Sequence, residues 1–111
     1  MVWKQTGVAL SSVGPGTSRE VTLDGSTVLL VRLADRVYAV EGICPHQGGI
    51  LADGTLDGSS LKCPEHGATF NVTTGEVLAD PDGIVPPQGG VDPLRHYPTR
   101  VQDGLIDVDI P

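Results

Sequence analysis

No apolar run in this chain approaches the roughly 18–20 residues that a membrane-spanning helix needs, which excludes that class of protein. The opening residues, Met1-Val2-Trp3-Lys4-Gln5-Thr6, lack the charged and apolar regions of a secretory signal and carry no twin arginine. The expected location is therefore cytoplasmic, where two thiols rarely form a structural disulfide. Bases are scarce, seven against fourteen acids, and the net charge of −7 argues against nucleic acid as a partner. Aromatics number only four, against fifteen glycines and nine prolines, a balance that favours turns and short strands over long helices. No segment repeats apolar residues at i, i+3, i+4 and i+7 between good caps.

What the 111 residues do carry is strand signal, on a length that fits one domain, residues 1–111. Trp3 to Thr6 reads as a strand, with Val8 to Leu10 packing inward, and Ser11 to Ser18 reads as a loop. Glu20-Val21-Thr22-Leu23 alternates, and Asp24-Gly25 is a hairpin signal. Val28 to Leu33 is a continuous apolar run suited to a buried strand, and Val37 to Val40 returns the chain after a turn at Ala34-Asp35-Arg36. Leu61-Lys62-Cys63, Thr69 to Val72 and Glu76-Val77-Leu78 are short strands between glycines. Four prolines in 80–93 exclude helix or central strand there. Leu94 to Val101 alternates, Asp103-Gly104 turns, and Leu105 to Ile110 closes as an alternating strand. The fold class is all-β: an antiparallel sandwich or barrel with a metal-binding subdomain, residues 41–81, inserted between its strands.

The negative charge is concentrated. From Val37 to Leu94 eight acids face one base, Lys62, a net −7, while the remainder balances at six of each. Such a field would steer a partner with a positive docking face, or simply keep the protein soluble.

Both cysteines fall in that stretch, each with a histidine close behind, in Cys44-Pro45-His46 and Cys63-Pro64-Glu65-His66, with sixteen residues between His46 and Cys63. Two loops that each offer one thiolate and one imidazole suit a binuclear iron–sulfur centre with chemically different ends. Soft, negative thiolate suits ferric iron bridged by sulfide, and neutral imidazole makes its iron easier to reduce. Cys44 and Cys63 would bind one iron, His46 and His66 the other. Pro45 and Pro64 stiffen the loops, and Gly48, Gly49 and Gly67 let backbone amides approach the sulfides. Mononuclear zinc is the competing reading, because two cysteines and two histidines are also a zinc set. Zinc spacings usually pair like with like, whereas each half is mixed here. A disulfide would leave both histidines unexplained.

Cys-Pro-His-Gln-Gly-Gly at 44–49 and Cys-Pro-Glu-His-Gly-Ala-Thr-Phe at 63–70 resemble the Rieske family. The likeness extends over most of the chain except 80–93. It implies one [2Fe–2S] cluster and near-surface imidazoles at His46 and His66 through which electrons leave. In size and layout the chain is similar to the Rieske ferredoxins of bacterial multicomponent oxygenases. That resemblance implies a monomeric one-electron carrier rather than an enzyme. Its implied partners are a flavoprotein NAD(P)H-dependent ferredoxin reductase and a terminal oxygenase, either an aromatic-ring dioxygenase or a di-iron monooxygenase. An alternative is the Rieske small subunit of a larger oxidoreductase such as assimilatory nitrite reductase. A non-redox interaction module stabilised by zinc is the third reading.

High-potential members of the family carry two further cysteines that bridge the loops, where this chain has Gly49 and Glu65. They also set Ser and Tyr hydroxyls against the sulfurs, where Ala68 and Phe70 stand here. With those donors missing and Glu65 and Asp53 nearby, the expected potential is in the lower part of the class range of roughly −150 to +300 mV. With two of three histidines committed, no Asp/Glu–His–His set is left for a mononuclear iron. Away from the loops, His96 reads as an ordinary strand residue, Trp3 and Tyr38 as core or strand-face aromatics, and Phe70 as packing under the second loop. Gln47 reads as a loop cap or a partner contact, and 80–93 as a surface connection.

Overall fold

The computed structural model describes residues 3–45, 48–65, 67–79 and 92–110. Eleven strands are present among them: β1 (Trp3–Ala9), β2 (Thr17–Leu23), β3 (Ser26–Leu33), β4 (Arg36–Glu41), β5 (Thr55–Asp57), β6 (Ser60–Lys62), β7 (Thr69–Asn71), β8 (Val77–Ala79), β9 (His96–Tyr97), β10 (Thr99–Gln102) and β11 (Leu105–Asp109). They form three antiparallel sheets, ordered β1-β11-β10, β2-β3-β4-β9 and β5-β6-β7-β8. The third sheet lies between β4 and β9 in the chain, so the all-β class and the insertion both hold. Among the described residues helix is limited to two three-residue 3-10 turns, Leu10–Ser12 and Leu51–Asp53. Among the described residues no helix is long and apolar enough to cross a membrane.

Strand β3 explains the layering. Val28, Leu29, Leu30 and Val31 are all fully buried, because both faces of their sheet are covered. Side chains alternate across a strand, so Val28 and Leu30 enter one core with Val8, Val13, Ile106 and Val108. Leu29 and Val31 enter the other with Leu51, Leu61, Phe70, Val72, Leu94 and both cysteines. Strand β4 divides in the same way, Ala39 to the first core and Val40 to the second. The central sheet is therefore the shared wall between a plain sandwich core and the core beneath the cysteine loops.

The Asp-Gly pairs act as read. Asp24 and Gly25 have φ of 49° and 82°, Asp103 and Gly104 of 54° and 79°, the double left-handed geometry of a two-residue hairpin turn. Two segments depart from the sequence expectation. The register of β1 against β11 shifts between Gln5 and Ala9, with Gly7 at φ 74°. The Thr6 hydroxyl stitches that bulge, donating to Ile106 O at 2.7 Å and accepting from Val8 N–H at 3.0 Å. The expected single strand from Leu94 to Val101 is two strands in two sheets: β9 pairs with β4, and β10 with β11. Pro98 sits at the crossing, where the absence of an N–H breaks the ladder, and its carbonyl accepts from Asp109 N–H at 3.0 Å.

Candidate metal centre

The first cysteine loop is tied down at its base. Gly42 N–H donates to Thr27 O at 2.8 Å, and Leu51 N–H donates back to Gly42 O at 3.0 Å. A Cβ on Gly42 would lie 2.6 Å from Thr27 Cγ2, so only glycine lets the loop leave β4 so close to β3. Ile43 and Ile50 form an isolated antiparallel bridge that closes the neck. Inside it Cys44 N–H donates to Gly49 O at 2.8 Å and Gly48 N–H to Cys44 O at 2.9 Å. The second loop hangs between β6 and β7, where Cys63 N–H donates to Ala68 O at 2.7 Å. A Cβ on Gly54 would run into the Lys62 carbonyl, so the chain entering β5 presses against the strand that delivers Cys63.

These constraints bring the cysteines together, both free, at 2% and 1% exposure. Burial is the main reason the Cys63 thiol is pushed from an ordinary 9.0 up to about 11. The Glu65 N–H, donating to the sulfur, pulls the other way, and the neighbouring Cys44 thiol and the Glu65 carboxylate add to the rise. Two thiolates at such a place repel each other and forgo water; a cation between them removes both penalties. The donor set fits the sulfur-ligated end of a [2Fe–2S] cluster. Ala68 and Phe70 are fully buried against the cysteines, as the packing expectation for Phe70 required, and neither offers a hydroxyl to sulfur.

His46, Gln47, His66 and residues 80–91 lie outside the described residues, so the expected imidazole ligands and most of the Pro-rich connection are not placed here. Among the described residues no third His, Cys, Asp or Glu joins the cysteine pair as a metal-binding group. An open depression of about 450 Å³, lined by Asp53, Thr55, Lys62, Cys63, Pro64 and Gly67, reaches the second cysteine. A slightly larger hollow of about 500 Å³, with Arg36, Tyr38, His96 and Tyr97 in its walls, touches neither cysteine and has no evident part in their chemistry. Around the loops Pro45, Pro64, Asp53 and Glu65 are exposed, as are the bridged Ile43 and Ile50 at 38% and 47%. Exposed isoleucines beside the loops escaped the sequence reading, because Ile50 resembles any core residue until the neck is seen to face outward. His96 is exposed, as an ordinary strand residue would be.

Comparison with known proteins agrees with this geometry. The family model for the Rieske [2Fe-2S] domain matches residues 4–92. The ferredoxin CarAc of Metapseudomonas resinovorans is 38% identical over 101 residues, covering 90% of this chain and 87% of that protein. The ferredoxin of carbazole 1,9a-dioxygenase from Nocardioides aromaticivorans IC177 superposes with a TM-score of 0.81 at 29% identity, covering 97% of each chain. A putative NADH-dependent nitrite reductase small subunit from Mycobacterium tuberculosis superposes at 0.77 with 30% identity, covering 96% of this chain and 93% of that one.

Proposed function

The chain belongs to the Rieske [2Fe–2S] family, and from that premise we propose that it is a one-electron carrier of a multicomponent oxygenase. It takes electrons from a flavin-dependent NAD(P)H reductase and delivers them to a terminal oxygenase, an aromatic-ring dioxygenase or a di-iron monooxygenase. Cys44 and Cys63 would hold one iron, and His46 and His66 the other, within a cluster-binding subdomain at 41–81 of a single domain spanning 1–111. When bound, the cluster supplies a site that gains and loses one electron. The chain's own contribution is to bury the two thiolates, exclude water from them, and aim backbone N–H groups such as that of Glu65 at sulfur.

The buried, adjacent pair of free cysteines on two interlocked loops carries this reading. The ferredoxin likeness over nearly the whole chain supports a carrier rather than an enzyme. The docking face is the loop end of the molecule, where Ile43, Ile50, Asp53 and Glu65 are exposed, and it suits a partner surface that is apolar and basic. The carrier works in the cytoplasm as a free monomer.

Iron and acid-labile sulfide analysis tests the centre, with two of each per chain expected and a low-g paramagnetic signal after dithionite. One zinc per chain and no colour would overturn it. A midpoint potential well above zero would contradict the expected low-potential character.

The likeness to a nitrite reductase small subunit favours a second reading, a permanently bound subunit of a larger oxidoreductase. Size-exclusion chromatography separates the two, since the carrier elutes as a monomer and the subunit in a complex. Reduction by a ferredoxin reductase followed by oxidation by a terminal oxygenase, at rates that saturate with carrier concentration, completes the test.

A further inference from the structure

Glu65 touches both cysteine loops. An ideal Cβ built on Gly49 would lie 2.7 Å from Glu65 Cγ, 3.1 Å from Glu65 Cβ and 3.0 Å from Cys63 Sγ. Real Cβ atoms do not come as close as 2.7 Å and seldom as close as the other two, so the space a side chain at 49 would fill is held by the Glu65 stem and the Cys63 sulfur. Gly49 is buried while Glu65 is exposed. The methylenes therefore act as a cover, and the carboxylate stays in water. Gly49 also accepts from Cys44 N–H through its carbonyl at 2.8 Å. The backbone N–H of Glu65 in turn donates to the Cys63 sulfur. A path of direct contacts thus runs from Cys44 through Gly49 and Glu65 to Cys63.

No covalent link joins the loops at this point, because both cysteines are free and neither Gly49 nor Glu65 can form one. Something must still oppose their separation, since each loop gains backbone entropy on opening. The stem of Glu65 on Gly49 supplies dispersion contacts and excludes water from the sulfur. Its carboxylate adds a fixed negative charge beside a centre that becomes more negative on reduction.

We propose that Glu65 is a positioning residue, whose stem latches the second cysteine loop onto the first and whose carboxylate holds the reduction potential of the bound cluster down. The inference rests on the family reading, because the carboxylate acts on a bound cluster and the latch is read through that cluster's survival.

Two variants separate stem from charge. Glu65→Gln keeps both stem carbons and removes the charge; Glu65→Ala removes the Cγ methylene and the charge. Iron, sulfide and the paramagnetic signal of the parent are measured first, so a failure of the cluster reading shows itself before any variant is compared. Midpoint potentials at pH 7 and the rate of bleaching by a chelator then follow. Glu65→Gln is expected to raise the midpoint and bleach at the parent rate. Glu65→Ala is expected to raise it equally and bleach about fourfold faster, the Boltzmann weight of roughly one buried methylene.

Unchanged midpoints in both variants would overturn the charge role, and parental bleaching in Glu65→Ala would overturn the latch. Should Glu65→Ala retain no cluster, Glu65→Asp decides the latch, because it shortens the stem by one methylene and keeps the charge. Glu65→Asp bleaches faster than the parent if the latch exists, and at the parent rate if it does not.

Discussion

Arg100 Nε donates to the Asp107 carboxylate at 3.0 Å across β10 and β11, where the two residues are register partners. The same guanidinium lies over the Trp3 ring, 4.5 Å from its centroid. Asp107 is the one buried charged residue among the described residues, at 5% exposure. Its partner is more open, with 44% of the side chain accessible, so solvent screens part of the attraction. Arg100→Ala strands a buried carboxylate and uncovers Trp3, with an expected loss of about 1–3 kcal/mol. Urea unfolding should show a lower midpoint at an unchanged slope.

Gly75 joins the third sheet to the returning chain. Its φ is 79°, its carbonyl accepts from Leu94 N–H at 2.8 Å, and a Cβ there would run into the Leu94 carbonyl. Gly75→Ala combines left-handed strain with a backbone collision and should cost more than about 2 kcal/mol. Gly25→Ala is the control. Its φ of 82° is similar, but a Cβ there meets nothing within 4 Å, so roughly 1 kcal/mol of strain is expected alone. Thermal unfolding of the two variants measures the difference. Because Leu94 shares a core with both cysteines, Gly75→Ala should also bleach faster.

Ile50, 47% exposed on the neck of the first loop, would stand at the centre of the proposed docking face. Ile50→Ser should slow electron transfer to the terminal oxygenase about fivefold, equivalent to roughly 1 kcal/mol of docking, while leaving the midpoint potential unchanged. The parent's association rate should fall as ionic strength rises from about 0.01 to 0.15 M, as expected for acids steering toward a basic face. Stopped-flow mixing measures both, and a salt-independent rate would remove the electrostatic part.

Tyr97 predicts the alkaline behaviour. Burial, and then the nearby Glu41 carboxylate, raise its phenol above the ordinary 10.0, with Arg95 partly opposing. A raised folded pKa means the fold favours the neutral phenol. That contribution is complete below about pH 10 and is lost as pH climbs through the folded value. Stability should therefore decline on that limb, and Tyr97→Phe should flatten the decline. Unfolding followed from pH 9 to 11 in parent and variant checks the sign.

Local chemistry made much of this molecule readable from its residues. The Asp-Gly turns state their own geometry, since both positions need φ above zero. The unbroken run from Val28 to Val31 announces a strand covered on two faces. Cysteine and histidine in mixed pairs carry the proposal for the centre, because ligand softness is a property of the side chain itself. Other features depend on residues distant in the chain. The break at Pro98 looks like a strand interior until two sheets compete for its flanks. Glu65 looks like one acid among many until Gly49 stands against its stem.

Sequence by itself determined the all-β class and the turns that join the strands, because each follows from bonding and sterics within a few residues. Tertiary structure decided which loop leans on which, that both thiols sit dry and side by side, and that two isoleucines face outward beside them. Those outcomes depend on packing between segments whose separation in the chain carries no signal of their contact.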